Sequence, residues 1–452
     1  MQCRNIQVSL PDAVKKCLLS LQGKGHEAYI VGGAVRDVLL GRAPFDFDVA
    51  TSALPEEVAE IFSQEKVFFT GLSHGTVTVV IGHFPVEITT FRSDGEYSDH
   101  RHPETVFFCK DIKEDVKRRD FTVNGLAMDA DGKVFDHVGG LLDLEKREIR
   151  CIGNAPLRFS EDGLRVLRAI RFSSVLDFSI EEETRKAIMQ KKEILSSISA
   201  ERIWKEFVPF ICGPRAATLL EAYWEVFLVF MQELLPMKGF DQKNPYYDLS
   251  VLGHTCKVIS HTPPEKELRL AALFHDIGKP LSFSEEDGIG HFYGHQKRGA
   301  HMAKDIMLRL KVDTKTREYV EKLVLYHDLD VSSSEKIMRK RLSRFGAAFV
   351  RDILLLQKAD ALGQSEKAAY RIAEWEVADK MRKELLEKEG VMSLKTLAIN
   401  GSDLLTLGIP SGRMMGKVLS YALTLVLEGE TENQKEMLLF AVEKAWKEGE
   451  IE

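Results

Sequence analysis

Residues 29–51 decide the fold of the first part of the chain, and they read YIVGGAVRDVLLGRAPFDFDVAT. The apolar run before the glycine pair Gly32-Gly33 predicts a strand, and apolar residues at helical spacing after it predict a short helix. Alternating apolar and acidic residues at 45–49 predict a second strand. The stretch therefore predicts a strand, a tight turn, a helix and another strand in succession.

Asp46 and Asp48 lie two residues apart on the second predicted strand. Side chains two apart on a strand share a face, so these carboxylates are expected close together. They repel each other unless a cation lies between them, and hard oxygen ligands in small number suit Mg²⁺. Gly32 and Gly33 would let a phosphate approach the backbone. One interpretation is a magnesium and nucleotide site; the other is a surface strand with two solvated aspartates.

The composition sets limits on the class of protein. A length of 452 residues predicts roughly two to four domains. The six cysteines are scattered without a C-x-x-C pair, which is typical of a reducing compartment and predicts a cytoplasmic protein. No signal-peptide pattern or uninterrupted apolar span is present, so no membrane partner is expected. The formal net charge of −7 limits any nucleic-acid site to a local basic face.

Glu87 is a candidate third carboxylate of the metal site. The β-branched runs at 77–81 and 86–90 predict two paired strands, and Glu87 lies in the second. If this strand lies beside the one that carries the two aspartates, all three carboxylates face one ion. A solvent-facing glutamate on a strand is the equal alternative.

A basic run at 117–119 comes just before Asp120 and Asn124. Arginine suits phosphate because its planar guanidinium donates two parallel hydrogen bonds. Arg119, Asp120 and Asn124 are therefore candidates for binding the sugar and phosphates of a nucleotide. A solvated charged face is the alternative interpretation.

Residues 161–171 predict one amphipathic helix. Its polar stripe carries, at every third position, Asp162, Arg165, Arg168 and Arg171. Cytosine and adenine both present an exocyclic amino donor beside a ring-nitrogen acceptor, so a carboxylate and a guanidinium can bind them together. Uracil and guanine present a carbonyl and an N–H there and leave both protein groups mismatched. The stripe predicts a reader for CTP and ATP; the alternative is a surface helix with an ion pair.

A second chemical cluster follows in the helical half of the chain. Its candidate ligands are His254, His275, Asp276 and Asp360. Further histidines nearby are His291, His295, His301 and His327. Imidazole together with carboxylate suits a divalent transition metal. A lone histidine is more often a core or surface residue, but this number of them beside an adjacent His-Asp pair favours a metal site.

Four segments resemble the bacterial class II tRNA nucleotidyltransferases, the family of CCA-adding enzymes and poly(A) polymerases. They are YIVGGAVRDVLLGRAPFDFDVATSALPEEV, EITTFRSDGEYSDHRHPETVFF, RRDFTVNGLAMD and RFSEDGLRVLRAIRF, and they cover about residues 28–178. Gly125 and Gly163 stand where the family often has alanine. The segment LFHDIGKP, with the histidines around it, resembles an HD-type phosphohydrolase domain.

The resemblance implies an α+β fold, in which a polymerase-β-like nucleotidyltransferase head with a mixed sheet precedes all-α regions. The implied domains are the head at 1–153, a helical neck for RNA and base recognition at 154–235, an HD-type domain at 236–365 and a C-terminal body and tail at 366–452. The change to a helical pattern beyond residue 155 agrees with this division.

The resemblance also implies an activity, which is the addition of C, C and A to the 3′ end of tRNA from CTP and ATP. Asp46 and Asp48 would hold Mg²⁺ with Glu87, and the reaction would be two-metal phosphoryl transfer. Gly33 and Arg36 would meet the nucleotide, and the protein would grip the tRNA acceptor arm.

Three alternatives stay open at this point. A-adding enzymes and poly(A) polymerases share the head, and a metal-dependent phosphohydrolase with a nucleotide-binding head is the alternative from another class. The loop after Glu87 keeps its family residues through Pro103, which disfavours an enzyme that adds only C. The sequence sets no oligomeric state.

Overall fold

A computed structural model describes residues 2–72, 75–94, 106–331, 334–388 and 390–451. By their internal contacts the residues form two compact units, Met1–Gln232 and Glu233–Glu452. The loop after Glu87 that keeps its family residues lies mostly outside the described residues, including Gly95, Tyr97, Asp99, Arg101 and Pro103.

The first unit is built on a mixed sheet. Its strands are β1 (Gln2–Asn5), β2 (Ala28–Val31), β3 (Asp48–Thr51), β4 (Lys66–Gly71), β5 (Thr76–Ile81), β6 (Phe84–Thr90), β7 (Arg92–Asp94), β8 (Val106–Phe108), β9 (Leu126–Met128), β10 (Lys133–Asp136), β11 (Glu148–Ile149) and β12 (Ser179–Ile180). One sheet has the order β1-β10-β9-β2-β3-β6-β5-β4, in which β3 and β6 run parallel and the other neighbours antiparallel. This confirms the predicted mixed sheet.

Helices pack against the sheet and form most of the rest of the first unit. They are α1 (Asp12–Gly23), α2 (Gly33–Leu39), α3 (Pro55–Ile61), α4 (Ile112–Lys117), α5 (Gly140–Lys146), α6 (Ala155–Glu161), α7 (Leu164–Leu176), α8 (Glu182–Lys191), α9 (Ala200–Cys212), α10 (Ala216–Ala222) and α11 (Trp224–Leu228). A 3₁₀ turn at Thr122–Asn124 packs against α5. The helical pattern predicted beyond residue 155 is confirmed.

The strand predicted at 45–49 begins later than expected, at Asp48. Asp48 pairs with Val31, the last residue of β2, and the chain then turns at Gly32 with a φ of 75°. No residue of β2 is left to pair with the backbone before Asp48. Asp46 therefore lies in the segment leading into β3, and its side chain is exposed.

The single helix predicted at 161–171 is wrong in one respect, because α6 ends at Glu161 and α7 begins at Leu164. Asp162 is extended between them, with a φ of −132°. Its carboxylate accepts a hydrogen bond from the Leu164 N–H at 3.2 Å, which competes with continuation of α6. A Cβ on Gly163 would lie 2.9 Å from the Ile194 side chain, so the break packs closely.

The second unit is mainly helical. Its elements are α12 (Val251–His261), α13 (Lys266–Phe274), β13 (Ser284–Glu286), β14 (Ile289–His291), α14 (His295–Arg309), α15 (Thr314–Tyr326), α16 (Glu335–Phe345), α17 (Ala347–Gly363), α18 (Tyr370–Lys388), α19 (Gly401–Thr406), α20 (Arg413–Glu428) and α21 (Lys435–Lys447). One apolar cluster joins α16, α17 and α18, and another joins α19, α20 and α21. Among the helices described, none is both long and apolar enough to cross a membrane.

Gly140 allows the start of α5 to approach the 3₁₀ turn that carries Asn124. A Cβ on Gly140 would lie 2.2 Å from the Thr122 carbonyl oxygen, so the backbone would have to move. We expect Gly140→Ala to destabilise the chain by about 1–3 kcal/mol or more, seen as a lower thermal unfolding midpoint. Gly23→Ala is the control, because no atom lies within 4 Å of its added Cβ. Equal midpoints for the two variants would contradict this packing.

Candidate active site and candidate metal centre

The turn after β2 brings a carboxylate and a guanidinium together. Gly32 has a φ of 75°, and a Cβ built on it would lie 3.3 Å from Arg119 Nη1 and 4.0 Å from Asp48 Oδ2. Any side chain at this position would therefore intrude between the two charged groups. Glycine keeps the turn and also leaves the space beside β3 open.

Three carboxylates gather beside this turn. Asp48 and Glu87 are register partners on the parallel strands β3 and β6, so they share a face of the sheet. Desolvation raises the pKa of Asp48 to about 6, with further contributions from Asp46 and Glu87, and Arg119 opposes the shift. The three carboxylates are open to solvent, and their mutual repulsion is the condition that a bound cation would relieve.

Asp115 holds two arginines at the edge of the site. Its carboxylate is buried and lies 2.8 Å from Arg118 Nη2 and 3.1 Å from Arg119 Nη2. Burial alone would raise the pKa of Asp115, but Arg119 and Arg118 lower it below its usual value. Asp115 therefore stays charged and fixes the direction of both guanidinium groups.

Asp120 and Asn124 link two further arginines inside the protein. Arg36 Nη1 donates to Asn124 Oδ1 at 2.7 Å, and Asn124 Nδ2 donates to Asp120 Oδ1 at 3.1 Å. Arg168 Nε donates to Asp120 Oδ2 at 2.9 Å. Burial opposes the charge on Asp120, yet Arg168 and these hydrogen bonds lower its pKa to about 2. Asn124 and Asp120 therefore hold the side chains of Arg36 and Arg168 in place.

Asp162 and Arg165 each have a separate partner. Asp162 Oδ1 accepts from Arg202 Nη2 at 3.1 Å. Arg165 is buried, and its guanidinium lies 2.8 Å from Glu161 Oε2 and donates to the Arg118 carbonyl at 3.1 Å. The Arg165 side chain is thereby held in one direction at the start of α7.

Glu206 and Phe172 are site residues that sequence reasoning missed. Glu206 on α9 is buried, accepts from Arg171 Nε and lies 3.4 Å from Arg168 Nη1. The Arg171 guanidinium lies 3.7 Å from the centre of the Phe172 ring, a cation–π contact. The position of Glu206 on the apolar face of α9 could have marked it as a buried carboxylate. That position does not show which helix carries the arginine that pairs with it.

One cavity of about 520 Å³ joins these groups. Its lining includes most of the residues predicted for nucleotide and metal binding, namely Gly33, Arg36, Asp46, Asp48, Arg119, Asp120, Asn124, Asp162, Arg165, Arg168 and Arg171. Glu87 lies beside this lining and acts on Asp48 electrostatically. The cavity can therefore receive a polyanion next to clustered carboxylates and, a short distance away, a planar group.

The second unit gathers the predicted histidines from several helices. His254 Nε2 lies 2.9 Å from Asp360 Oδ1 and 3.5 Å from Asp276 Oδ2, and His275 Nε2 lies 3.2 Å from the same Asp276 oxygen. His295 Nε2 and His327 Nε2 lie 3.5 and 3.8 Å from Asp276 Oδ1. His254, His275, Asp276, His295 and His327 are buried.

The outer nitrogens of these histidines face backbone carbonyls. The Nδ1 atoms of His275, His295 and His327 lie 2.7–2.8 Å from carbonyls of the preceding turn, and that of His254 lies 3.2 Å from the Gly363 carbonyl. A carbonyl only accepts, so each Nδ1 carries a hydrogen, and in the neutral ring each Nε2 would present a lone pair to the centre. Neutral imidazole with a carboxylate is a donor set for a divalent transition metal.

His301 does not join this centre. It lies on α14, as His295 does, but its side chain is exposed.

Burial, His275 and His295 lower the pKa of His327 to about 4, so the His327 ring is neutral near pH 7. A neutral ring is the form that can ligate a metal.

Family models match three parts of the chain. A model described as the Poly A polymerase head domain matches residues 28–150. One described as a probable RNA and SrmB-binding site of polymerase A matches residues 177–237, and a tRNA nucleotidyltransferase domain 2 model matches residues 287–442.

Two curated relatives align with nearly the whole chain. The CCA-adding enzyme of Lactobacillus johnsonii is 35% identical over 418 residues, which cover 92% of this chain and 93% of the relative. The CCA-adding enzyme of a Geobacillus species is 35% identical over 425 residues, which cover 93% of each protein.

Solved structures of CCA-adding enzymes also match nearly the whole chain. The Bacillus stearothermophilus CCA-adding enzyme in complex with CTP has a TM-score of 0.69 and 29% identity, with 97% of this chain and 98% of that chain covered. The Thermotoga maritima CCA-adding enzyme complexed with tRNA supports the fold, with a TM-score of 0.61 at 21% identity and coverage of 99% and 100%. Because the sequence agreement extends over most of both proteins, the chain belongs to the family of CCA-adding enzymes, the class II tRNA nucleotidyltransferases.

Proposed function

We propose that the chain adds C, C and A in turn to the 3′ end of tRNA, from CTP and ATP, in the cavity of the first unit. The observation that carries this proposal is the meeting of the β3 carboxylates and the α7 arginines in one cavity. The relatives are named CCA-adding enzymes, and the B. stearothermophilus structure holds CTP.

The cluster of Asp46, Asp48 and Glu87 would hold the divalent metal that a nucleotidyltransferase uses, and we propose Mg²⁺. The fit rests on the raised pKa of Asp48, which is caused first by desolvation and then by Asp46 and Glu87. A bound cation would lower this pKa again, because it stabilises the charged carboxylate. When bound, Mg²⁺ neutralises phosphate charge and favours loss of the proton from the attacking hydroxyl.

The remaining work of the site is positioning. The RNA 3′-hydroxyl oxygen forms a bond to the α-phosphorus of the triphosphate, the hydroxyl proton is lost, and the bond to pyrophosphate breaks. Arg119 and Arg36 would bind the phosphate oxygens. Asp115 already orients the Arg119 side chain, and Asn124 orients that of Arg36. Charge held in place before the reaction stabilises the transition state without reorganisation.

Base selection would fall to Asp162 and Arg165, with Arg168 and Arg171 beside them. The partners Glu161, Asp120 and Glu206 hold the three guanidinium groups. Arg165 donates and Asp162 accepts, a pattern that pairs with cytosine and adenine and mismatches uracil and guanine. The protein would thus replace a nucleic-acid template.

The product sequence distinguishes this function from its alternatives. The chain is incubated with labelled CTP and ATP and with tRNA that ends in the discriminator base, in CC or in CCA. We expect C, C and A on the first RNA, A on the second and nothing on the third. Addition of A only to the CC-ended RNA would indicate an A-adding enzyme, and unlimited A would indicate a poly(A) polymerase.

A second candidate function belongs to the second unit. We propose a metal-dependent phosphohydrolase there, with His254, His275, Asp276 and Asp360 as ligands of a divalent transition metal. The convergence of their Nε2 and carboxylate oxygens carries this proposal. The adjacent cavity of about 430 Å³ is also lined by Arg371, which suits a phosphate group, and by Lys279, whose ammonium lies 2.7 Å from Asp276 Oδ2.

Asp46→Ala or Asp48→Ala should abolish nucleotide transfer, because each removes a carboxylate of the metal cluster, while circular dichroism stays unchanged. The exposed Asp12→Ala in the first turn of α1 is the control, with transfer retained. Full transfer by either cluster variant would refute the metal assignment.

Mg²⁺ affinity should fall as the pH falls through about 6. The folded pKa of Asp48 is raised, so protons compete with the metal below that value, by about tenfold for each pH unit. Calorimetric titration with Mg²⁺ across this range measures the effect. Glu87→Gln removes one charge that raises this pKa and should move the midpoint to lower pH; an affinity independent of pH would contradict the assignment.

Arg165→Ala should reduce the preference for CTP over UTP by about tenfold or more, because it removes the donor to the ring nitrogen. Relative transfer rates with the two nucleotides give the ratio. Arg185→Ala is the matched control, since Arg185 forms a surface ion pair with Glu182 on α8. An unchanged ratio in a folded Arg165 variant would exclude its role in base selection.

Asp276→Ala should abolish metal-dependent hydrolysis of a phosphate ester such as a 2′,3′-cyclic nucleotide and leave CCA addition intact. Asp48→Ala should do the reverse. Both activities are measured on the same preparations. Hydrolysis that survives in Asp276→Ala would place that chemistry elsewhere.

A further inference from the structure

The helices α20 and α21 form a groove on the surface of the second unit. Its cavity of about 560 Å³ is lined by apolar side chains of both helices, Tyr421, Leu425, Met437, Phe440 and Ala441. Tyr421 and Leu425 lie four residues apart on α20, and Met437 and Ala441 lie four apart on α21, so each pair shares a face of its helix. We call this surface the α20–α21 groove.

Two apolar side chains of the α20–α21 groove are open to solvent. Phe440 is 72% exposed and Met437 is 44% exposed. Among the large apolar side chains that the structure describes, only Phe45 is more exposed than Phe440. Leu438 and Val442, on the other face of α21, are fully buried in the core of this region, so Phe440 is not needed for that core. Exposed apolar surface that is bordered by polar residues marks a site of interaction.

Four exposed glutamates border the groove and make its edge negative. They are Glu430, Glu436, Glu448 and Glu450. Within the described lining, Lys444 is the one cation. Two other lysines of α21 have partners outside the lining, because Lys435 Nζ lies 2.6 Å from Asp403 Oδ1 and Lys447 Nζ lies 2.6 Å from Glu443 Oε1. The edge of the groove therefore carries more negative than positive charge.

Three of these carboxylates act on the Tyr421 ring in the wall of the groove. The Tyr421 hydroxyl donates to Glu450 Oε2 at 3.3 Å. Desolvation raises the pKa of this hydroxyl, and Glu450, Glu430 and Glu448 raise it further. Carboxylates from both ends of α21 are thus close enough to one ring to present a single negative surface.

A second cavity, of about 650 Å³, continues the groove. It shares Glu430, Thr431 and Met437 with the first cavity, and its lining extends to Arg339 on α16 and Lys388 at the end of α18. A surface that continues in this way suits an elongated ligand. An amphipathic helix is such a ligand, because it places apolar side chains into a groove at every third or fourth residue.

The charge at the edge of the groove distinguishes between possible occupants. RNA carries a negative phosphate at each nucleotide, and the four glutamates would repel it. A second copy of the chain that used the same surface would bring two sets of glutamates together, because symmetric pairing places one patch against itself. A helix with positive side chains is instead attracted by these carboxylates.

We propose that the α20–α21 groove binds an amphipathic helix of another protein, with its apolar face against Phe440 and Met437 and with lysines or arginines opposite the glutamates. Phe440 would be the main anchor, since aromatic side chains contribute much of the binding energy at such interfaces. The glutamates would accelerate association and make it sensitive to salt. This interaction does not involve the catalytic assignments in either unit.

The probe is a fluorescein-labelled synthetic helical peptide that has a leucine face flanked by lysines. A second peptide, with glutamates in place of the lysines, is the charge control. Fluorescence anisotropy measures the binding of both to the full chain. We expect saturable one-to-one binding of the lysine peptide that weakens as salt is added, and binding of the glutamate peptide that is about tenfold weaker or more. Absence of saturable binding of the lysine peptide would overturn the proposal.

Variants place this binding in the groove. Phe440→Ser should weaken binding of the lysine peptide by about tenfold or more, and Glu436→Gln by about two- to fivefold. Leu308→Ser and Glu376→Gln are matched controls that should bind as the wild type does, because they change an exposed leucine on α14 and an exposed glutamate on α18. Equal affinity of each variant and its control would overturn the proposal. Glu436→Gln keeps the test decisive if circular dichroism shows that Phe440→Ser does not fold.

Two further measurements test the other occupants. In sedimentation velocity we expect the same oligomeric state for the wild type and Phe440→Ser. A dimer that is lost in Phe440→Ser would assign the groove to a second copy and overturn the proposal. We also expect equal affinity of both proteins for tRNA, and weaker tRNA binding by Phe440→Ser would assign the groove to RNA and likewise overturn it.

Discussion

The pairing of β3 with β6 places Asp48 and Glu87 side by side, and Asp46 adds a third negative charge. Desolvation raises the pKa of Asp48, and the neighbouring Asp46 and Glu87 carboxylates add to the shift. Gly32 keeps the space beside Asp48 open, since a side chain there would meet Arg119 and Asp48. We propose that a bound cation would offset this charge.

The arginines around this place are held by buried carboxylates. Asp115 contacts Arg118 and Arg119, and Asp120 contacts Arg168. Each carboxylate is satisfied by its arginine, so a buried charge is compensated while the guanidinium is kept in one direction. We attribute the proposed phosphate binding and base selection to this fixed arrangement, because the reacting groups then need little reorganisation.

The family resemblance implied the mixed sheet, and the sequence pattern predicted the helices after residue 155; most of the residues proposed for the site line one cavity. Local pattern could not show that β2 ends at Val31, which leaves Asp46 outside β3, or that the Asp162 carboxylate would interrupt the helix. Glu206 was missed because its partner Arg171 lies on another helix, and such contacts depend on packing.

The histidines of the second unit illustrate the same limit. His295 and His301 both lie on α14, yet one is buried at the centre and the other is exposed. Their spacing of six residues places them on different faces, but only the neighbouring helices decide which face is internal. The sequence pattern predicted a metal centre there, and the structure separates the buried candidate ligands from the exposed histidine.

Anomalous diffraction from crystals of the full chain grown with Mn²⁺ and CTP tests the central claim most directly. The account predicts a manganese peak within about 2.0–2.2 Å of carboxylate oxygens of Asp46 and Asp48, next to the triphosphate. CTP bound in the cavity with no manganese at these two aspartates would contradict it.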